Sequence, residues 1–228
     1  MIEFNNVSVK YSNGEVALDG ISLEIKDGEF VFIVGHSGAG KTTITKVLLG
    51  EQKIFSGSLR VDGISLKSMK ASEVPLYRRK IGIVFQDFRL IDRKTVFENI
   101  ALPLRIVGKK TGVIKKRVKN LLSLVGLEHK ENCFPNEMSG GEQQRVAFVR
   151  AIAANPDIII ADEPTGNVDR ELAYQLFELL EAINQKGKTV IVVTHDMELV
   201  KKYKHRTVTI EGGKISGDTL NQSEAGVL

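Results

Sequence analysis

The sequence predicts an α/β fold with a parallel sheet at its centre, antiparallel strands at its amino-terminal end and a helical insertion in its middle. Short apolar runs recur at 30–34, 81–85, 158–161 and 190–193, and turn residues bound them. Continuous apolar runs of this length are typical of parallel strands buried on both faces. Helical patterns alternate with these runs, which favours a doubly wound sheet.

The amino-terminal segment has the pattern of an antiparallel sheet. Apolar residues recur loosely at every second position in two stretches, and the second stretch ends at an Asp-Gly turn. The apolar positions are Ile2, Phe4, Val7 and Val9 in the first stretch, and Leu18, Ile21, Leu23 and Ile25 in the second. We therefore expect a small antiparallel β subdomain ahead of the parallel core.

The pattern becomes helical between about 88 and 154. One stripe stops at Gly126, a second helix is predicted from Gln143 to Ala153, and a third helix follows at 172–183. The first stripe consists of Ile114, Val118, Leu121, Leu122 and Val125. We expect a single domain over 1–220, with the segment at about 88–154 as an inserted helical subdomain and 221–228 as a polar tail.

Length and composition limit the classes of protein. A chain of 228 residues suits one α/β domain, and no apolar run reaches the ~18 residues that span a bilayer. The first residues also lack the pattern of a secretory signal. We therefore expect any action at a membrane to require an embedded partner. Cys133 is the only cysteine, which excludes an intramolecular disulfide and fits a reducing cytoplasm.

Two basic runs make the distribution of the net charge of +4 uneven. Seven basic residues and no acid lie between Arg105 and Lys119, and a second run covers 201–206. The ordinary interpretation is a solvated helix face, while attraction to an anionic membrane surface stays open. Nucleic acid is not expected as a partner, because aromatic residues are not interleaved with the charges.

A phosphate-binding loop follows the first buried run. The segment reads Gly35, His36, Ser37, Gly38, Ala39, Gly40, Lys41 and Thr42, and a helix-compatible run comes next. Glycines let successive backbone N–H groups point at phosphate oxygens, and the helix adds its positive end. Lys41 is expected to reach the β- and γ-phosphates, and the Thr42 hydroxyl to hold Mg²⁺. The loop alone indicates a nucleoside triphosphate site.

Polar residues follow three further buried runs. Asp162 and Glu163 end the run at 158–161, where Asp162 can hold Mg²⁺ and Glu163 can polarise the attacking water. His195 comes just after the run at 190–193, and Gln86 follows the run at 81–85. The carboxyl ends of parallel strands are where such sheets bind ligands. Together these residues predict a hydrolytic nucleotide site.

The segment Ser139-Gly140-Gly141-Glu142-Gln143 completes a set of motifs that resembles the ATP-binding cassette (ABC) ATPases over nearly the whole chain. The resemblance implies a P-loop NTPase with a RecA-like core. It also implies a head-to-tail homodimer with ATP between the phosphate loop of one copy and the helix opened by Ser139 of the other. Asp169 is assigned to the loop that crosses the dimer interface. Met138, Glu142 and 166–169 depart from the commoner family residues, but no catalytic group is lost.

The resemblance assigns roles residue by residue. Catalytic roles are assigned to Glu163, His195, Lys41 and Gln86, and Mg²⁺ to Thr42, Gln86 and Asp162. ATP contacts are assigned to Tyr11, Gly35, His36, Ser37, Gly38, Ala39, Gly40, Lys41, Thr42, Thr43, Ser139, Gly140, Gly141 and Glu142. Tyr11 is the aromatic expected to stack on adenine, although a surface aromatic at a strand end is the alternative.

Within the ABC ATPases, the segment 85–104 and the pair Phe134-Pro135 are most similar to the FtsE family of cell-division ATPases. That resemblance implies a membrane partner of the FtsX type at the division site, through which ATP-driven dimer closure regulates cell-wall hydrolases. We expect the segment 88–104 to form the groove that holds the partner, with Phe88, Leu90, Ile91 and Phe97 as its apolar residues. Phe97 could equally belong to the core.

Three other functions stay open at this stage. The chain could serve an exporter or a lipoprotein-release system of the MacB type, which the membrane subunit would distinguish. A cassette acting on DNA or ribosomes usually has a second cassette or a long coiled coil, and this chain has neither. A regulatory module that only binds nucleotide is disfavoured by Glu163 and His195.

Overall fold

The computed structural model describes residues 1–166 and 168–220. The predicted polar tail at 221–228 and Asn167 lie outside the described residues. The strands are β1 (Ile2–Lys10), β2 (Val16–Ile25), β3 (Phe30–Val34), β4 (Ser56–Val61), β5 (Ile64–Ser65), β6 (Ile81–Val84), β7 (Ile158–Asp162), β8 (Thr189–Thr194), β9 (Arg206–Glu211) and β10 (Lys214–Asp218). The helices are α1 (Lys41–Leu48), α2 (Val74–Arg78), α3 (Val96–Ile106), α4 (Thr111–Leu124), α5 (Gly140–Ile152), α6 (Arg170–Asn184) and α7 (Met197–Tyr203).

A six-stranded sheet with the order β10-β9-β3-β8-β7-β6 forms the core. The pairs from β9 to β6 are parallel, and every residue of β3, β7 and β8 is buried. Burial on both faces explains why these strands are continuous apolar runs in the sequence. Because the strands are parallel, their carboxyl ends meet at one edge, where the site residues predicted after β3, β6, β7 and β8 lie. The predicted fold class is confirmed.

The amino-terminal strands form a second, antiparallel sheet with the order β2-β1-β4-β5. Phe4 pairs with Leu23 on one side and with Leu59 on the other, and all three side chains are buried. This inner face packs on the core together with β3 and α1. The β subdomain therefore lies directly beside the first turn of α1.

The hairpin of β9 and β10 was not anticipated. Its turn contains Gly212 and Gly213, which both have positive φ (53° and 79°) and suit a two-residue hairpin turn. The second basic run, at 201–206, consists of two parts with different surroundings. Its lysines are exposed, but His205 stacks on Phe30 at 4.1 Å between ring centroids, and Arg206 pairs with Glu29 and Asp218. The expectation of one solvated face was wrong for these two residues.

Three helices, α3, α4 and α5, lie between β6 and β7 and pack on one another. Thr95 and Glu98 form a capping box that begins α3, and Ser139 and Glu142 form one that begins α5. The stripe of α4 faces the core with Ile114, Val118, Leu121 and Leu122 buried. Within the described part of the chain, no helix is long and apolar enough to cross a membrane.

Candidate nucleotide site

The phosphate loop requires glycine at two positions for steric reasons. A Cβ on Gly35 would collide with the carbonyl oxygen of Ile210, and a Cβ on Gly40 would lie 2.7 Å from the carbonyl oxygen of Ala17. Gly40 also has a φ of 109° and begins α1 without a side-chain cap. The amides of the first turn of α1 are therefore available to an anion, as phosphate binding requires.

Lys41 lies folded inside its own loop. Its side chain is only 7% exposed, and Nζ donates hydrogen bonds to the carbonyl oxygens of Gly35 (2.8 Å) and His36 (3.0 Å). Nζ also lies 3.9 Å from Oε1 of Glu163. The loop thus curls around a positive charge that stands beside the carboxyl end of β7. Such a cation is suited to the negative charge of a triphosphate.

Asp162 and Glu163 are adjacent acids in different surroundings. Asp162 is the last residue of β7 and is 8% exposed. Burial, together with the neighbouring charge of Glu163, raises the pKa of its carboxyl to about 6. A buried carboxyl next to a second acid is stabilised in its ionised form by a bound cation.

The backbone directs Glu163 towards β8. Its φ of 48° is a left-handed value that costs a residue with a Cβ about 1–3 kcal/mol, and its amide donates to the carbonyl oxygen of Val193 (2.8 Å). Oε1 of Glu163 lies 2.8 Å from Nδ1 of His195, and the Thr194 hydroxyl donates to Oε2 at 3.4 Å. The structure therefore brings Lys41, Glu163 and His195 together.

Gln86 and Tyr11 lie at the border of this site. The amide nitrogen of Gln86 approaches Gly166, in the loop after Glu163, where an added Cβ would lie 3.2 Å away. The Tyr11 hydroxyl lies 2.8 Å from the Thr43 hydroxyl, which connects the end of β1 to the first turn of α1. Tyr11 is therefore held beside the first turn of α1, and its stacking on adenine stays a prediction.

The described side chains fit a magnesium ion. The predicted set is the Thr42 hydroxyl, the Asp162 carboxylate and the Gln86 amide, which offers only oxygen ligands of the kind that Mg²⁺ takes together with water and phosphate. Thr42 and Gln86 are exposed, whereas Asp162 is buried. Across residues 1–166 and 168–220, no cluster of three His, Cys, Asp or Glu could hold a metal ion.

The segment 139–142 lies apart from these residues within one chain. The Ser139 hydroxyl accepts from the Glu142 amide (3.3 Å), and Glu142 Oε2 accepts from the Ser139 amide (2.8 Å). Glu142 also pairs with Lys130 at 3.4 Å. No hydrogen bond or ion pair between described residues joins this segment to the phosphate loop. Asp169 caps α6 by accepting from the Leu172 amide (2.9 Å).

Two side chains of α5 that the sequence analysis missed contact the loops around the site. Gln144 is 1% exposed and donates to the carbonyl oxygen of Pro164, directly after Glu163. Arg150 donates to the carbonyl oxygens of Arg89 (2.5 Å) and Phe88 (2.7 Å), and burial lowers the pKa of its guanidinium. The sequence did contain a signal for both residues, because each is a polar residue on a face of α5 that is otherwise apolar.

Comparison with known proteins agrees with this architecture. Residues 18–166 match the family described as ABC transporter. The chain belongs to this family and is an ABC-type ATPase. Among curated proteins it is similar to the "Cell division ATP-binding protein FtsE" of Streptococcus pneumoniae serotype 2, with 49% identity over 96% of this chain and 95% of the relative. The FtsE proteins of Bacillus subtilis (49%; 96% and 96%) and Escherichia coli K12 (41%; 95% and 98%) match over similar lengths. The predicted resemblance to FtsE is confirmed.

A solved structure described as a dimeric post-hydrolysis state of the ATP-binding cassette MJ0796, bound to ADP and Pi, is also similar. Its TM-score is 0.89 and its sequence identity 37%, over 96% of this chain and 97% of that chain.

Proposed function

We propose that this chain is the ATPase subunit of an FtsE-type complex at the inner face of the cell membrane. Two copies enclose ATP and Mg²⁺ between them, and an FtsX-type membrane partner carries the resulting movement to cell-wall hydrolysis during division. The FtsE relatives support the cell-division role. The inference of a membrane partner rests on one observation, an apolar groove beside the segment that follows Gln86.

The site residues divide the work of hydrolysis. The carboxylate of Glu163 accepts a proton from the attacking water, and His195 holds that carboxylate in place through its Nδ1 contact. Lys41 leaves its own loop carbonyls and binds phosphate oxygens as negative charge develops. Mg²⁺, held by Thr42, Asp162 and Gln86, would neutralise phosphate charge and orient the β- and γ-phosphates.

The separation of two motifs supports a dimer. The amino-terminal end of α5 is capped by the Ser139 hydroxyl. Among the described residues, it makes no hydrogen bond or ion pair with the phosphate loop of its own chain. An exposed end of a 13-residue helix is suited to an anion, and the γ-phosphate on a second copy is such an anion. The related cassette MJ0796 is described as dimeric with ADP and Pi bound.

The groove has a volume of about 490 Å³ and lies between α2, β6, α3 and α5. Its walls are mainly apolar, and four arginines but no acid line it. The apolar wall includes Ile83, Phe85, Ile91, Leu102 and Ile106, and the arginines are Arg78, Arg79, Arg89 and Arg150. An apolar trough with a basic border fits an amphipathic helix that carries acidic residues, which is a common mode of helix recognition.

The structure corrects the expected membership of the groove. Ile91 lines it and is 37% exposed, but Leu90 packs against the hydrophobic core. Phe97 also packs against the core, which is the alternative that the sequence analysis left open. Phe88 is half-buried and contributes its carbonyl oxygen to Arg150. The groove is connected to the site through the backbone from Gln86 to Ile91, whose residues Phe88 and Arg89 have positive φ (58° and 47°).

Capture of membrane proteins tests the proposal. The Glu163→Gln variant with ATP should retain an FtsX-type membrane protein, and adding Ile91→Asp should abolish the capture, because a charge would be buried against the apolar helix. Leu124→Asp is the matched control, since Leu124 is 53% exposed outside the groove and its substitution should leave capture intact. Capture that survives Ile91→Asp would refute the groove, and capture of an exporter subunit would refute the cell-division role.

A further inference from the structure

The loop after α3 and helix α4 carry five lysines with no acidic partner among the described residues. We name this set the lysine face: Lys109, Lys110, Lys115, Lys116 and Lys119. All five are exposed, and no acid occurs between 105 and 127. Lysines elsewhere do pair with acids, as Lys188 does with Asp157 at 3.0 Å. Within residues 1–166 and 168–220, no lysine of this face makes an ion pair.

These charges do not stabilise the helix that bears them. The positive end of a helix dipole favours acids in the first turn, but α4 has none there, and Lys110 occupies its N-cap without a side-chain cap. Arg117 is the exception in the run, because its guanidinium donates to the carbonyl oxygens of Ile152 and Ala153 at 3.3 Å. The lysine face therefore has no stabilising role in α4 that the structure shows, and its charges are available to a ligand outside the chain.

Apolar side chains accompany the lysines. Ile106 is 51% exposed and Val113 is 53% exposed, on either side of Lys109 and Lys110. Ile106 also lines the groove, so the lysine face begins where the groove ends. Exposed lysines mixed with exposed aliphatic residues are suited to the headgroup region of a bilayer, where the charges contact phosphates and the apolar groups enter the boundary.

We propose that the lysine face binds anionic phospholipid headgroups on the membrane in which the partner is embedded. This orientation rests on the proposed function, since a helix of an embedded partner in the groove brings Ile106 and the adjoining lysines towards the bilayer. Nucleic acid is a poorer occupant, because no aromatic residue lies between 105 and 119 to stack on bases. Binding to the membrane would therefore have two contacts, one with protein and one with lipid.

Vesicle flotation with the full chain tests the proposal without the partner. The wild type should bind phosphatidylcholine vesicles that contain phosphatidylglycerol but not vesicles of phosphatidylcholine alone. Each lysine near an anionic surface contributes about fivefold to affinity, so exchanging Lys109, Lys110, Lys115 and Lys116 for Gln should weaken binding at least ~100-fold. Binding should also weaken between about 0.1 and 1 M salt, where the Debye length falls from about 10 to about 3 Å.

The matched control carries the same number of exchanges elsewhere. Lys26, Lys53, Lys186 and Lys201 are exposed and outside the face, and their exchange for Gln should leave vesicle binding and soluble ATPase activity unchanged. Equal binding to both vesicle types, equal loss in the control, or lysine-dependent binding of single-stranded RNA without vesicle binding would overturn the proposal. Ile91→Asp distinguishes the two proposals. It should leave flotation unchanged, because vesicle binding by the lysine face does not require the groove, even if the groove proves not to bind the partner.

Discussion

Exchange of Ser139 for Asp separates the two roles that Ser139 has in the proposed dimer. The hydroxyl caps α5 in the structure, and the same helix end is proposed to contact the γ-phosphate of the second copy. Asp is as good an N-cap as Ser, whereas Ala costs about 1 kcal/mol. The folded monomer should therefore tolerate Ser139→Asp better than Ser139→Ala.

Binding of ATP in the proposed dimer should impair the variants in the opposite order, with Ser139→Asp affected more than Ser139→Ala. A carboxylate placed about 4 Å from a phosphate is repelled by about 4 kcal/mol at an effective dielectric constant near 20, which is roughly 10³-fold in affinity at each shared site. Ser139→Ala removes a hydrogen-bond donor but adds no charge. ATP-driven dimerisation and turnover should thus decrease from wild type to Ser139→Ala to Ser139→Asp.

Three measurements on these variants check the reversal. Urea unfolding gives the free energy of unfolding of the monomer, and sedimentation with ATP in the Glu163→Gln background gives the fraction of dimer. Phosphate release from the variants with Glu163 intact gives turnover. If Ser139→Asp dimerises and hydrolyses ATP as the wild type does, the proposed shared site is wrong.

The remaining predictions concern single groups. Glu163→Gln should bind ATP normally and lose about 10²- to 10⁴-fold in kcat, and wild-type phosphate release would exclude Glu163 as the base. Lys41→Ala should lose roughly 10- to 150-fold in nucleotide affinity for each charged hydrogen bond removed, and a fluorescent-nucleotide titration with unchanged affinity would contradict this. The hydrogen bond from Arg206 lowers the pKa of Asp218 below its ordinary 3.8, so the pair stabilises the fold above about pH 4 and loses this contribution as pH falls through the lowered pKa. Asp218→Asn should cost about 1.5–3 kcal/mol at neutral pH and progressively less in acid, whereas a pH-independent cost in urea unfolding would argue against the ion pair.

The parts of the fold that sequence predicted best are those where one local signal decides the structure. Burial on both faces makes β3, β7 and β8 continuous apolar runs, and a phosphate loop needs glycines where the backbone of Ala17 and Ile210 comes close. The adjacent acids after β7 could be predicted for the same reason, because they directly follow a buried apolar run. Such features depend on few residues that are close together in the chain.

The features that were missed depend on contacts between distant residues. The strand β9 begins within a basic run, and only the pairing of Arg206 with Glu29 and Asp218 shows that this charge is not solvated. Leu90 and Ile91 have similar side chains, but the path of the backbone directs one to the core and the other to the groove. Periodicity does not distinguish them, because no regular element contains either residue.

Helix α5 connects the loops of the nucleotide site to the border of the groove. Over 13 residues, or about 20 Å, it contacts the loop after Glu163 through Gln144 and the border of the groove through Arg150. Its first turn is the part proposed to contact the second copy. Because α5 is stiff and is held at both ends, a displacement of one end should also move the other end. In the proposed dimer, a nucleotide bound at the amino-terminal end of α5 would therefore act on the Phe88 backbone through Arg150. The proposed partner in the groove and the chemical state of ATP would then affect the same helix.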